Sequence, residues 1–198
     1  MINKYVGNSA VPYYSQRETF LRREGSLKPA QIDKWRDGLC GLMCASMIIN
    51  GFSQGSQYAI AELLIAADKL GAFDQKRGWV HKKIGSLAEG YGIKANVRRS
   101  VNLGTIYELL AKGDLIMASV SPHYLHPELK GKEDERSGHL VVITGMNRRD
   151  AGSQVFIHDP SSEYSDGGQN IVIDSSVFEH SFSGNIISFE NPRKQQDR

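Results

Sequence analysis

The chain has 198 residues, 24 basic and 22 acidic side chains, a net charge of +2 and 40% hydrophobic residues. That composition excludes a disordered chain and supports a packed core. The balanced charge leaves no basic footprint for nucleic acid or an anionic membrane surface, and no apolar run approaches the roughly 20 residues a membrane-spanning helix needs.

Length favours a single domain, 1–198, with flexible ends at 1–10 and 191–198. The opening residues lack the apolar centre of a secretory signal. The expected setting is cytoplasmic, or delivery into a target cell within a larger secreted protein.

In chain order, residues 10–16 read as a strand end, and 17–36 as a charged, helix-permissive stretch with a short helix starting at Pro29. Residues 39–50 form the first strong helix, with Asp37 or Gly38 at its N-cap and Gly51 closing it. Apolar stripes predict helices over 55–70, 80–91 and 103–111, each followed by a glycine. The period then changes. Short apolar runs at 115–120, 140–144, 155–158, 171–173 and 186–189 have strand length. Residues 147–152 read as a hairpin loop, 122–138 as a long polar loop carrying His123 and His126, and Gly167-Gly168 as a turn. Helices followed by strands imply an α+β fold, a helical part packed on an antiparallel sheet.

Asp37-Gly38-Leu39-Cys40-Gly41 places a thiol where a loop becomes a helix. The unpaired N–H groups and partial positive charge of a first helical turn favour thiolate, the nucleophilic form. Cys44, the only other cysteine, lies one turn further on within an apolar run and reads as core packing. A bridge between two cysteines one turn apart would constrain almost no chain. His139 starts one apolar run and Asp159 ends the next; in an antiparallel hairpin those two ends meet. His158 alternates to the face opposite Asp159, so only one of them can serve a common site. An acyl-transfer site also needs donors for the oxyanion. The Cys40 N–H is one, and the side-chain amide of Gln16 or Gln31 is the second. The Cys-x-x-x-Cys pair and scattered His123, His126 and His158 make no zinc pattern, and nothing in the sequence calls for a cofactor or metal. Trp35 and Trp79 read as core or rim packing.

Four blocks in order, Val11-Pro12-Tyr13-Tyr14-Ser15-Gln16, Cys40-Gly41, Gly138-His139-Leu140-Val141-Val142-Ile143 and His158-Asp159-Pro160, resemble the C39-like cysteine peptidases. The resemblance implies a papain-like fold, with Cys40 as nucleophile, His139 as base, Asp159 as orienter and Gln16 as oxyanion donor. It departs from the family pattern at Leu39, at Leu42 and in the long gap between Gln16 and Cys40. It also implies a protein or peptide substrate, with cleavage at a glycine-containing, double-glycine type of site as in the leader-peptide peptidases. A bacterial toxin or effector setting would add an inhibitory, immunity-type partner. An amidase or transpeptidase using the same triad on cell-wall or isopeptide bonds is the first alternative, and a non-catalytic papain-fold binding module the second.

Overall fold

The computed structural model describes residues 4–8, 10–23, 27–53, 55, 57–121, 138–148, 152–161 and 168–192. Strand β1 (Lys4–Gly7) comes first, then helices α1 (Glu18–Arg23) and α2 (Pro29–Trp35), a 3₁₀ turn at Arg36–Gly38, and helices α3 (Leu39–Phe52) and α4 (Ile60–Leu70). A two-stranded ribbon, β2 (Phe73–Asp74) and β3 (Gly78–Trp79), leads to α5 (His81–Glu89), β4 (Ala95–Arg98) and α6 (Leu103–Ala111). The rest is mainly sheet: β5 (Leu115–Val120), β6 (His139–Arg148), β7 (Gln154–His158), β8 (Ile171–Asp174), helix α7 (Ser175–Ser181) and β9 (Phe182–Phe189).

The main sheet runs β4-β9-β5-β6-β7-β8, every pairing antiparallel, with β1 alongside the second half of β6. Its central strands alternate between two cores. Leu115, Met117, Leu140, Val142, Ile187 and Phe189 pack with α3, α4 and α5; Ile116, Ala118, Val141, Ile143 and Ile186 pack with α6 and α7. Burial on both faces is why these strands read as unbroken apolar runs instead of alternating ones. The α3 helix is the centre of the first core: thirteen of its 14 residues are buried, as expected of a helix that is apolar all round. The architecture is mixed helix and antiparallel sheet, with helices covering both faces of the sheet.

Several boundaries differ from the sequence reading. Residues 11–17 are irregular, not a strand, because their backbone bonds go to a side chain and a loop: the Val11 carbonyl to His158 and the Gln16 N–H to Pro160. Lys4–Gly7, expected in a loose end, is paired in β1. Gly51 does not close α3; it lies one residue before the helix end, where an added Cβ would meet Leu115 at 3.3 Å and Val11 at 3.6 Å. The next helix starts at Ile60 rather than 55. Asn50 accepts the Tyr58 N–H and donates to the Tyr58 carbonyl, which holds the approach to α4 as a loop. The β6 strand continues past 144 to Arg148 through a bulge between Ile143 and Gly145. The loop residues 122–137, with His123 and His126, residues 149–151 of the expected 147–152 turn, Gly167 and the tail 193–198 lie outside the described residues.

Candidate active site

Cys40 is the second residue of α3, in the first turn of a buried helix. The N-cap is Gly38, with no side-chain cap. The start of the helix is held from outside instead. The Trp79 indole donates Nε1–H to the Gly38 carbonyl at 2.8 Å, and Trp35, Phe73 and Trp79 form a mutual aromatic cluster with centroids 5.5–5.7 Å apart. The glycine after the nucleophile candidate has a steric reason: a Cβ on Gly41 would run into the Trp79 indole. A Cβ on Gly38 would lie 3.0 Å from the Phe73 ring. Both tryptophans pack, as the sequence suggested, but Trp79 also fixes the turn that presents Cys40.

His139 is the first residue of β6. The β6–β7 register pairs Val142 with His158 and Ile143 with Ile157, so one step further places Asp159 diagonally across from His139 on the same face. The two side chains meet: His139 Nε2–H donates to Asp159 Oδ1 at 2.7 Å. The same oxygen accepts the Ser161 N–H at 2.7 Å, and the Asp159 side chain has no solvent exposure. With Nε2 committed to Asp159, Nδ1 is the nitrogen left for the Cys40 thiol, which is near enough to raise the affinity of the imidazole for a proton. Burial opposes a charge on this ring more strongly than any other single influence. The hydrogen bonds to Asp159 and Cys40 and their negative charges together outweigh it, and the imidazole is pushed up to about 10. The structure therefore brings together a hydrogen-bonded His139–Asp159 pair at the strand ends and the Cys40 thiol at a helix N-terminus.

Cys44 lies outside that chain. It is wholly buried, donates its thiol to the Leu140 carbonyl at 3.2 Å and so joins α3 to β6 beside His139; burial holds it well above its ordinary range. Gln31 spends its side chain locally, its Oε1 accepting the Lys28 N–H at 2.9 Å at the start of α2. Gln16 is tied to the Asp159 side of the site through its backbone, its N–H donating to the Pro160 carbonyl at 2.8 Å. His158 turns away from His139, as strand alternation requires, and bonds to Val11 and Asn170. Sequence reasoning missed the Trp79 clamp and the contacts of Tyr13 and His158. No local motif marks them, since each depends on a segment far away in the chain.

The pattern of the Peptidase_C39 like family matches residues 9–186 of this chain. The chain belongs to that family. It is thus a cysteine peptidase by class, with the papain-like fold of C39 peptidase domains. No curated protein sequence registers as a relative. Among solved structures, a putative C39-like peptidase from Bacillus anthracis is 16% identical with a TM-score of 0.60, the match covering 94% of this chain and 97% of that one. A double glycine motif protease from an AMS/PCAT transporter, solved with its leader peptide, is 16% identical with a TM-score of 0.57, covering 96% of this chain and 99% of that one. The peptidase domain of Streptococcus ComA, a bifunctional ABC transporter of a quorum-sensing pathway, is 17% identical with a TM-score of 0.53, covering 76% of this chain and 90% of that one. At these identities the likeness speaks for the fold alone.

Proposed function

We propose that this peptidase cleaves a peptide bond by a thiol mechanism in which Cys40 is the nucleophile, His139 the base and then acid, and Asp159 the group that orients His139. The observation that carries the reading is the buried His139–Asp159 hydrogen bond at 2.7 Å beside the Cys40 thiol at the N-terminus of α3. The raised affinity of His139 for a proton suits it to receive the proton that the Cys40 thiol gives up as it attacks. Thiolate attack on the carbonyl gives an oxyanion, received by the Cys40 N–H, which the first helical turn leaves without an intrahelical partner, and by the Gln16 amide. His139 protonates the leaving amine. Water, deprotonated by His139, then hydrolyses the thioester.

For the substrate, we propose a protein segment with glycine at the scissile bond. The family supports this, and so does the fold shared with a double glycine motif protease that was solved with its leader peptide. The test is a peptide set bearing Gly-Gly, Gly-Ala and Ala-Ala at one position, with products read by mass spectrometry for wild type and Cys40→Ala. A free carboxylate released only by wild type, fastest for Gly-Gly, is expected. Undiminished turnover by Cys40→Ala would end the mechanism. Equal rates on all three peptides would end the substrate reading, and a new amide in place of the carboxylate would mark a transferase.

A further inference from the structure

Sheet pairing stops at His158, one residue before Asp159. The ladder brings Asp159 to the level of His139 but forms no bond to its peptide, and the backbone of Asp159 is held by other groups. Its N–H donates to the Gly168 carbonyl at 2.8 Å, and its carbonyl accepts the Tyr13 hydroxyl at 3.0 Å. The same hydroxyl accepts the Gly168 N–H at 2.8 Å, so one phenol oxygen bridges the two backbone strands beside the site. Those strands are close enough that a Cβ on Gly168 would overlap the Asp159 carbonyl.

Two further ties join the irregular segment 11–16 to the same region. His158, with no solvent exposure, donates Nε2–H to the Val11 carbonyl at 3.0 Å and accepts the Asn170 N–H at Nδ1, also at 3.0 Å. A carbonyl only accepts and an amide N–H only donates, so the partners fix a neutral ring protonated at Nε2. The Tyr13 ring meets the His158 ring edge-on at 5.7 Å, and the Gln16 N–H closes the series on the Pro160 carbonyl at 2.8 Å. From Val11 to Gln16 the chain is laced three times to residues 158–170.

We propose that Tyr13 and His158 are positioning residues that hold the Asp159 carboxylate and the arm bearing Gln16 as one unit. This rests on the catalytic roles assigned above to Cys40, His139, Asp159 and Gln16. Neither residue touches the reacting atoms. Tyr13 fixes the peptide on which the carboxylate stands, and His158 anchors the start of the arm that carries the amide. A buried histidine and a tyrosine that only filled space would not need four backbone partners of matched polarity among them.

The experiment uses the full chain and needs no substrate for its first readout. Iodoacetamide labelling of Cys40 is followed across pH by peptide mass mapping, with Cys44 as internal reference, for wild type, His139→Ala, Tyr13→Phe, His158→Gln and His158→Ala. Thermal melting and steady-state kinetics on the Gly-Gly peptide accompany it. Tyr13→Phe keeps the ring and removes the bridge. It is expected to unfold cooperatively near the wild-type temperature while the acid limb of Cys40 labelling moves up by about one pH unit, because a displaced Asp159 supports the imidazolium less. Its kcat is expected to fall roughly 10–100-fold with KM changed less than about twofold, the signature of misplaced catalytic groups. His158→Gln retains a donor for Val11 and is expected to recover part of what His158→Ala loses. A folded Tyr13→Phe with wild-type labelling and kcat would overturn the proposal. So would losses that follow melting temperature alone, with Gln no better than Ala at 158. Slow wild-type labelling indifferent to His139→Ala would overturn the catalytic assignment and the proposal with it, and the His139→Ala control separates that case from the others.

Discussion

Replacing Gly41 by alanine is a small change with a large expected effect. The new Cβ would stand 2.6 Å from Trp79 Cδ1 and nearer still to Nε1 and Cε2, well inside contact distance. The α3 helix cannot retreat, because the residues around Gly41 are buried in the first core. The indole must move, and it has little room: it packs on Trp35 at 5.7 Å and on Phe73 at 5.6 Å. Overpacking of a filled core costs about 1–3 kcal/mol, and losing the Trp79–Gly38 hydrogen bond costs about 1 kcal/mol more. The sum, about 2–4 kcal/mol, corresponds to a fall in Tm of roughly 4–16 °C for a chain of this size. Displacement of the turn that presents Cys40 by even about 1 Å is expected to slow turnover roughly 100-fold. Thermal melting and Cys40 labelling measure the two effects. Trp79→Leu opens the space the new methyl needs, so the double variant should be more stable than the sum of the single losses by more than about 1 kcal/mol. A Gly41→Ala protein with wild-type Tm and wild-type Cys40 reactivity, or strictly additive losses in the cycle, would refute the clamp.

The two cysteines should separate cleanly. Cys40→Ala abolishes turnover with little change in Tm, whereas Cys44→Ala lowers stability by about 1–2 kcal/mol through a lost thiol–carbonyl contact and a small cavity while retaining turnover; the reverse pattern would overturn the assignment. Asp159→Ala is expected to reduce kcat by about 10²–10⁴-fold with a smaller effect on KM, and wild-type kcat would show that His139 is oriented by something else. Folded His139 keeps its proton up to about 10, against 6.5 for an unperturbed imidazole. A raised folded value means that the stability from this group is fully present below about pH 6.5 and is lost as pH rises towards 10. Denaturant unfolding across that window should show a decline that His139→Gln flattens, and equal slopes in the two proteins would contradict the ion-pair reading.

What was legible in the sequence follows burial. The α3 helix and strands β5, β6 and β7 are packed on all sides or on both faces, so their positions carry apolar residues almost without interruption. The meeting of His139 and Asp159 was legible because a hairpin register is arithmetic once both strands are placed. The β1 and β4 strands were not legible: in β1 only Val6 is buried, and in β4 no residue is fully buried. Helix α7 was missed because its apolar content, chiefly Val177 and Phe178, is too short to show a helical period. Of the two N-cap candidates, Asp37 and Gly38, the structure has Gly38. A glycine brings no side-chain oxygen to the cap, and the turn is held instead by the Trp79 indole on the Gly38 carbonyl, 41 residues further along the chain, where nothing local in either segment points to the other.

The two halves of the site are held by different devices, and the seam between them is narrow. An aromatic cluster fixes the nucleophile side from β2, β3 and α2; the laced segment 11–16 fixes the acid side from the N-terminal arm. What sets their separation is the packing of α3 on β6, where the Cys44 thiol meets the Leu140 carbonyl one residue after His139. Proton transfer between a thiol and an imidazole is sensitive to distance in a way that burial energy is not, because a directed polar contact does not move far without failing. This explains why polar contacts of fixed direction appear here in an otherwise apolar interface. The apolar core brings α3 and the sheet together, and the Cys44–Leu140, Trp79–Gly38 and Tyr13–Asp159 bonds determine where along that contact Cys40 and His139 come to rest.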